Sequence, residues 1–245
     1  EFLDEGDIEV FAITEHDKTC VPPSNTRAKE FIRGCEFTEE KGAHIIGLYV
    51  DYKDLPDKSP RSIINYIKSN NGLVCIPHPY KKDSGLFNFY DKDLFINDID
   101  LLEVLNGGNI DNPKISEAIL FCSRNNIFPI ASSDSHMPNQ LRMCYTEIET
   151  NQNSTFRKLV KNREINSPNF YVAQNLYEKI VKKTSAETKI KKTQIIKSFI
   201  GKFLPFKVKR GIRLLNYYLF VSKDLSYKRT KFIKMSFDEL KEKYI

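Results

Sequence analysis

A chain of 245 residues and 28.5 kDa, 40% hydrophobic and 29% charged, has room for one large domain or for a domain with an appendage, and its composition excludes a disordered protein. Its longest apolar runs reach about eight residues, well short of the ~18–20 that a bilayer span requires. The net charge of +6 conceals an asymmetry: residues 1–150 carry 15 Lys and Arg against 25 Asp and Glu, whereas residues 151–245 carry 23 against 7. A basic segment set against an acidic one points to an anionic partner for the basic part. Five cysteines stand at 20, 35, 75, 122 and 144 with no C-x-x-C pair, the pattern of reduced thiols and a cytoplasmic address. The chain opens on Glu1, so its natural N-terminus is expected to lie upstream.

In chain order, residues 8–14 (IEVFAIT) read as a buried strand. Residues 31–37 and 44–50 read as two strands joined by Glu-Glu-Lys-Gly, a turn that ends in Gly42. Residues 59–70 read as a helix, with Ser59 as its cap, Pro60 in the first turn and Ile63, Ile64 and Ile67 on one face. Short strands follow at 73–76 and 101–105, then a helix at 113–125, strands at 128–131 and 145–150, and a helix near 154–161. Strands alternating with helices indicate α/β architecture with a mostly parallel sheet or barrel. Beyond residue 168 the reading contains no strand. It predicts helices over about 190–204 and 207–221, separated by Pro205, and a capping box at Ser236–Glu239 that opens a final short helix. The expected domains are therefore 1–168 and a basic helical extension, 169–245.

The four histidines are placed in a telling way. His16, His78 and His136 each follow the C-terminal end of an apolar strand, the rim where α/β barrels collect their chemistry. His44 instead begins a strand, but the hairpin before it brings its strand start beside the end of the strand that carries Glu36. The result is a candidate cluster of four imidazoles with two or three carboxylates, a donor set that suits Zn, Mn or Fe, in which a carboxylate can bridge two ions. Cys35 and Cys75 alternate away from the neighbouring candidates, which assigns them to core packing.

These same residues resemble the PHP (polymerase and histidinol phosphatase) family in motif and order. The segments are Thr14-Glu15-His16-Asp17, Gly34-Cys35-Glu36, Ala43-His44-Ile45-Ile46-Gly47-Leu48, His78-Pro79, Leu102-Glu103-Val104 and Ser133-Asp134-Ser135-His136, and together they span residues 1 to about 165. The resemblance implies a distorted (β/α)7 barrel with two or three divalent metal ions (Mn, Zn or Fe) at its C-terminal rim. It also implies a metal-dependent phosphoesterase that hydrolyses a nucleotide, an RNA end or a sugar phosphate by means of a metal-bridged hydroxide. On this reading Glu36, His44 and His78 hold one metal, Glu36 bridges to a second shared with Asp134, and His16 and His136 hold a third. Lys81, Lys82 and Arg142 are candidate phosphate-binding residues, with plain surface solvation as the competing role. Glu15, where the family usually has Asp, and Glu103 are expected to support ligands without being ligands. The family's opening D-x-H-x-H strand has no match here, and residues 1–6 read as the end of the helix that would follow it. The barrel as given is thus expected to lack its first strand. If that strand is truly absent, the alternative is an inactive PHP module serving as a membrane or partner adaptor.

The family resemblance does not reach the basic tail. Residues 171–245 hold 19 Lys and Arg against 6 Asp and Glu, interleaved with Ile, Phe, Leu and Tyr. Three roles fit it: a helical cap packed on the barrel, a basic amphipathic helix at an anionic membrane surface with Phe199, Phe203, Leu204 and Phe206 inserting, or contact with nucleic acid. A cytoplasmic, peripheral-membrane location follows from the second.

Overall fold

The computed structural model describes residues 9–21, 28–108, 114–136, 140–141, 143–149, 155–165, 167–174, 176, 178 and 232–245. Outside these lie Arg142, the segment 1–6, and both helices expected over 190–221, with the four residues that one reading of the tail would insert into a membrane. The chain divides into two units: Glu1–Val172 with Lys234–Ile245, and Ala173–Ile233. Every residue of the candidate cluster falls in the first.

That unit is a mixed α/β structure built on a curled, half-barrel sheet. Six strands run in the order β1 (Val10–His16), β2 (Glu30–Thr38), β3 (His44–Leu48), β4 (Leu73–Ile76), β5 (Leu101–Asn106) and β6 (Phe128–Ser132). Strand order thus follows chain order. The pairs β1–β2, β4–β5 and β5–β6 are parallel, whereas β3 runs antiparallel to both of its neighbours. The reversal comes from the expected tight turn after β2. Gly42 takes a φ of +91°, which a residue with a Cβ adopts only under strain, and buried Glu39 ties the turn by accepting the Lys41 and Ala43 amides at 2.9 and 2.7 Å. One reversed strand places the start of β3 on the rim that receives the ends of β1, β2, β4 and β6.

Helix α1 (Pro60–Ser69) forms as its sequence requires. The Ser59 hydroxyl accepts the Ser62 amide, Pro60 occupies the first turn where a missing N–H does no harm, and Ile63, Ile64 and Ile67 are buried. Each of those isoleucines contributes roughly 1.5–3 kcal/mol of burial free energy. Helix α2 (Ile115–Asn125) ends on Asn126 in the left-handed conformation and buries Ile115, Ala118, Ile119, Phe121 and Cys122. One core cluster joins Ile32, Ile46, Leu48, Leu73, Cys75, Leu101 and Val160, so strands β2 to β5 share a single apolar face with α3 (Phe156–Asn162). Cys35 is fully buried as well, and all five thiols are buried and unpaired. Both Cys35 and Cys75 therefore pack in the core, as strand alternation demanded.

The expectation of no strand beyond residue 168 is corrected. A second sheet runs in the order β7 (Cys144–Glu147), β8 (Asn169–Ala173) and β9 (Phe232–Ser236), with β7 and β8 antiparallel. Tyr145 and Tyr171, cross-strand partners there, stack with centroids 4.8 Å apart. Thr146 links this sheet to the first: its hydroxyl accepts the Ala131 amide at 2.7 Å and donates to the Ala131 carbonyl at 3.0 Å. Ser236 and Glu239 form the reciprocal capping box of the last helix, α4 (Phe237–Tyr244). No helix among the described residues is long and apolar enough to cross a membrane.

Candidate metal centre

Three of the six candidate ligands, His16, His44 and His78, meet around a fourth, the Glu36 carboxylate. Glu36 leaves the last turn of pleat in β2 and is buried, and parallel pairing sets it beside His16, the last residue of β1. Its two oxygens face different partners. Oε1 lies 2.8 Å from His44 Nδ1 and 3.4 Å from His78 Nε2, while Oε2 lies 3.7 Å from His16 Nε2. His44 Nδ1 and His78 Nε2 are themselves 3.4 Å apart. Donors bound to one ion at 2.0–2.2 Å are separated by about 3.3–3.6 Å in a tetrahedral arrangement. The distances from His78 Nε2 to Glu36 and His44, 3.4 Å each, match that spacing, while Glu36 and His44 stand closer, at the 2.8 Å of a direct hydrogen bond. His16, Glu36 and His44 likewise offer ligand atoms within 4.8 Å of one another.

The local structure that holds each group is specific. Asp17 adopts a left-handed turn directly after His16; its amide donates to the Glu36 carbonyl at 3.0 Å and its carboxylate accepts the Thr38 amide at 3.1 Å. His44 is anchored by its backbone amide, which donates to the carbonyl of buried Ser84 at 3.0 Å. His78 lies two residues beyond β4 with a φ of +29°, and its side chain is only 1% exposed. Its Nδ1 is buried without a hydrogen-bond partner among the described residues. A buried polar nitrogen in that state destabilises the fold unless a partner satisfies it.

Asp134 and His136 form the adjoining part. They follow β6, with Asp134 Oδ1 3.6 Å from His136 Nδ1 and Asp134 at a φ of +45°. The His136 ring stands 6.1 Å from that of His16, and His16 stands 4.7 Å from His44. His136 is 60% exposed and His16 45%, against the deep burial of His78, so the cluster is graded from a dry floor to a wet mouth. Asp134 Oδ2 is buried and has no hydrogen-bond partner among the described residues; the nearest cation is Lys81 Nζ at 3.6 Å. Lys82 is exposed and makes no hydrogen bond or ion pair among the described residues. Glu15 is also exposed, alternating onto the face opposite His16.

Electrostatics set the buried Glu36 apart from the buried Glu103. Burial by itself raises the Glu36 carboxyl, but hydrogen bonds from His44 and His78 and the charges of His44 and His16 outweigh it, leaving it well below the usual carboxylate range. At Glu103 burial wins, against the charge of His78 and hydrogen bonds from Ser132, Asn106 and the His78 amide, and the carboxyl is raised. Glu36 is thus the anionic hub that can hold cations, with the imidazoles as borderline donors and Asp134 as a second hard donor.

Sequence reasoning placed Asp17 in a motif without a role of its own, and missed Ser132, Asn106 and the pair Gly107 and Gly108. A Cβ on Gly108 would lie 2.7 Å from Asp134 Oδ2, and one on Gly107 would lie 2.7 Å from the Ser133 carbonyl oxygen. The signal available in the sequence was the Asn-Gly-Gly run directly after a strand, which marks a close backbone approach.

No protein-family model matches the chain, and no curated protein matches it. Among solved structures it is similar to a two-domain protein from Bacteroides vulgatus containing a predicted PHP-like metal-dependent phosphoesterase, with a TM-score of 0.50 and 19% sequence identity. The match covers 71% of this chain and 60% of that one, so the chain spans three fifths of that protein's length. PsfC from Pseudomonas syringae matches at a TM-score of 0.44 and 11% identity over 67% of this chain and 68% of its own. The first of these likenesses shows a PHP-like fold.

Proposed function

We propose that this chain is a metal-dependent phosphoesterase, acting on a nucleotide, an RNA end or a sugar phosphate at the rim of a PHP-type (β/α)7 barrel. The observation that carries the reading is the division of Glu36, whose Oε1 faces His44 and His78 while its Oε2 faces His16. That is the arrangement of a carboxylate set between two cation positions. Buried atoms without partners, His78 Nδ1 and Asp134 Oδ2, mark a polar site organised for more than its own hydrogen bonds. Glu36, His44 and His78 would hold one divalent ion, and Glu36 with His16, Asp134 and His136 would hold one or two more, with Mn, Zn or Fe suited to the donors.

When bound, such ions polarise phosphoryl oxygens and supply a nucleophilic water at neutral pH. The chain's own groups do the rest. Glu36 brings negative charge to a floor where burial shields it from competing water. Lys81 stands at the wetter side with an ammonium that can take up phosphate oxygens once Asp134 has a cation of its own. Lys82 and Arg142 are further phosphate-binding candidates on the same reading. The graded exposure from His78 to His136 leaves the substrate to approach from the His16 and His136 side.

The test is hydrolysis of a generic phosphoester by the full chain with Mn²⁺ or Zn²⁺, with and without a chelator. Metal-dependent turnover that disappears in Glu36→Gln is the expected result. Turnover that persists in the chelator, or in Glu36→Gln, overturns the reading and favours an adaptor role for the fold.

A further inference from the structure

We infer that Glu103 is the positioning residue of this site, holding His78 and the Asp134 loop in place without binding metal itself; this rests on the metal-dependent reading above. Glu103 lies on β5, which pairs with β4 on one side and β6 on the other. It is 3% exposed, and its carboxylate gathers one donor from each of three strand ends. Oε2 accepts the His78 backbone amide at 2.7 Å and the Asn106 side-chain amide at 2.6 Å, and Oε1 accepts the Ser132 hydroxyl.

The two arms end in strained backbone. His78 has a φ of +29°, and Asp134, two residues beyond Ser132, has a φ of +45°. Neither is glycine; Asp enters this region at modest cost, whereas the His78 conformation persists only because its surroundings impose it. For His78 the restraint is visible. The ring meets Glu36 and His44 at Nε2, but no hydrogen bond among the described residues holds it at Nδ1, so ring direction also depends on packing and on where the backbone is pinned. The pins are the amide on Glu103 and the carbonyl, which accepts the Lys81 amide at 2.9 Å. For the other arm, Ser132 is held through its hydroxyl on Glu103 and through its carbonyl, which accepts the Gly107 amide at 2.8 Å. Both Glu103 oxygens are committed to these donors, so serving as a ligand would require breaking the network that places the ligands.

A positioning carboxylate and a ligand respond differently to amide replacement. In Glu103→Gln the side-chain carbonyl can still accept the His78 and Asn106 N–H groups, and the new NH₂ can donate to the Ser132 hydroxyl after it rotates. Glu103→Ala removes both acceptor oxygens and with them all three hydrogen bonds. The experiment is calorimetric titration of the full chain with Mn²⁺ and Zn²⁺, alongside thermal unfolding without metal. Glu103→Ala should weaken metal affinity about 10–100-fold, the usual effect of losing a group that orients ligands, while Glu103→Gln stays within about threefold of the parent. Glu30→Ala is the control for stability alone. Glu30 accepts the Tyr49 hydroxyl at 2.6 Å and the Phe156 amide at 3.0 Å at the opposite end of β2, and its loss should lower the melting temperature with metal affinity unchanged.

Parental affinity in Glu103→Ala overturns the inference while leaving the metal reading intact. Equal loss in Glu103→Ala and Glu103→Gln makes Glu103 a ligand and overturns it too. Absence of metal binding by the parent chain overturns the metal reading and this inference with it. Should Glu103→Ala fail to fold, Ser132→Ala decides: about threefold to tenfold weaker binding supports the inference, and unchanged binding overturns it.

Discussion

Lys81 and Asp134 meet across the width of β5: Lys81 Nζ, on the loop after β4, lies 3.6 Å from Asp134 Oδ2, on the loop after β6. Asp134 Oδ2 is buried and receives no hydrogen bond among the described residues, and this ammonium is the compensating charge that stands against it there. A cation taken up by Asp134 would release Lys81 toward the mouth of the site. The two loops are thereby coupled, although 53 positions separate the residues in sequence.

Lys81→Ala should raise the KM for a phosphoester and weaken inhibition by inorganic phosphate by the same factor, about tenfold or more, the worth of a hydrogen bond to a charged group. Steady-state kinetics with phosphate as inhibitor measures it. Unchanged values of both would confine Lys81 to the role of counterion for Asp134.

The His78 imidazole should carry most of the thermal stabilisation that metal provides. At a free ion concentration of 100 Kd, binding adds about 2.7 kcal/mol to the folded state. For a unit of this size that raises the melting temperature by roughly 5–10 °C. In His78→Ala this increment should fall by more than half for Zn²⁺ and Mn²⁺ alike. Differential scanning calorimetry with and without ion is the measurement, and an undiminished shift would remove His78 from the ligand set.

Gly108→Ala should separate activity from stability. Its Cβ would lie 2.7 Å from Asp134 Oδ2 and 3.0 Å from Asp134 Cγ, so the carboxylate must move. Gly108 has a φ outside the left-handed region and is exposed, so alanine strains no backbone there and trims the entropy of the unfolded chain by about 0.4–1 kcal/mol. Metal-dependent turnover should fall about tenfold, the low end of what outer groups contribute, while the melting temperature holds or rises slightly. A parallel fall in both would mean that the glycine serves the fold instead.

Stability should decline in alkali. Burial pushes the thiols of Cys122 and Cys144 well above their ordinary value of 9.0. Burial, then the hydrogen bond to Glu30, raises the Tyr49 hydroxyl above its ordinary 10.0. Above about pH 9 the unfolded chain loses these protons while the folded chain keeps them. The folded state then binds more protons, and its stability falls as pH rises, by up to about 1.4 kcal/mol per pH unit for each buried thiol. Below pH 9 these groups are protonated in both states and the contribution is flat. Urea unfolding at pH 8, 9, 10 and 10.5 should show a falling midpoint with unchanged slope on denaturant, and Cys122→Val should reduce the fall. A midpoint constant to pH 10.5 would contradict the assignment.

Local pattern made much of this protein legible before any coordinates. The IEVFAIT run became β1, Ser59 and Pro60 opened α1 with its isoleucine face buried, and Ser236 and Glu239 closed their capping box. Each rests on interactions within a few residues, which is the range over which sequence pattern carries information. His16, His44 and His78 were legible for a related reason: a residue at a strand end sits at a rim, and one hairpin decides which rim His44 joins. Strands β8 and β9 were not legible. They are five residues each, their apolar pattern is diluted by Asn, Lys and Ser, and the antiparallel partner of β8 lies across α3. Only tertiary structure could decide which Glu36 oxygen faces which imidazole, that His78 and Asp134 take left-handed backbone, and that Glu103 gathers donors 25 and 29 positions away. Those relations come from sheet pairing and loop packing between distant segments, where the geometry is set by the sum of many contacts and by no single stretch of chain.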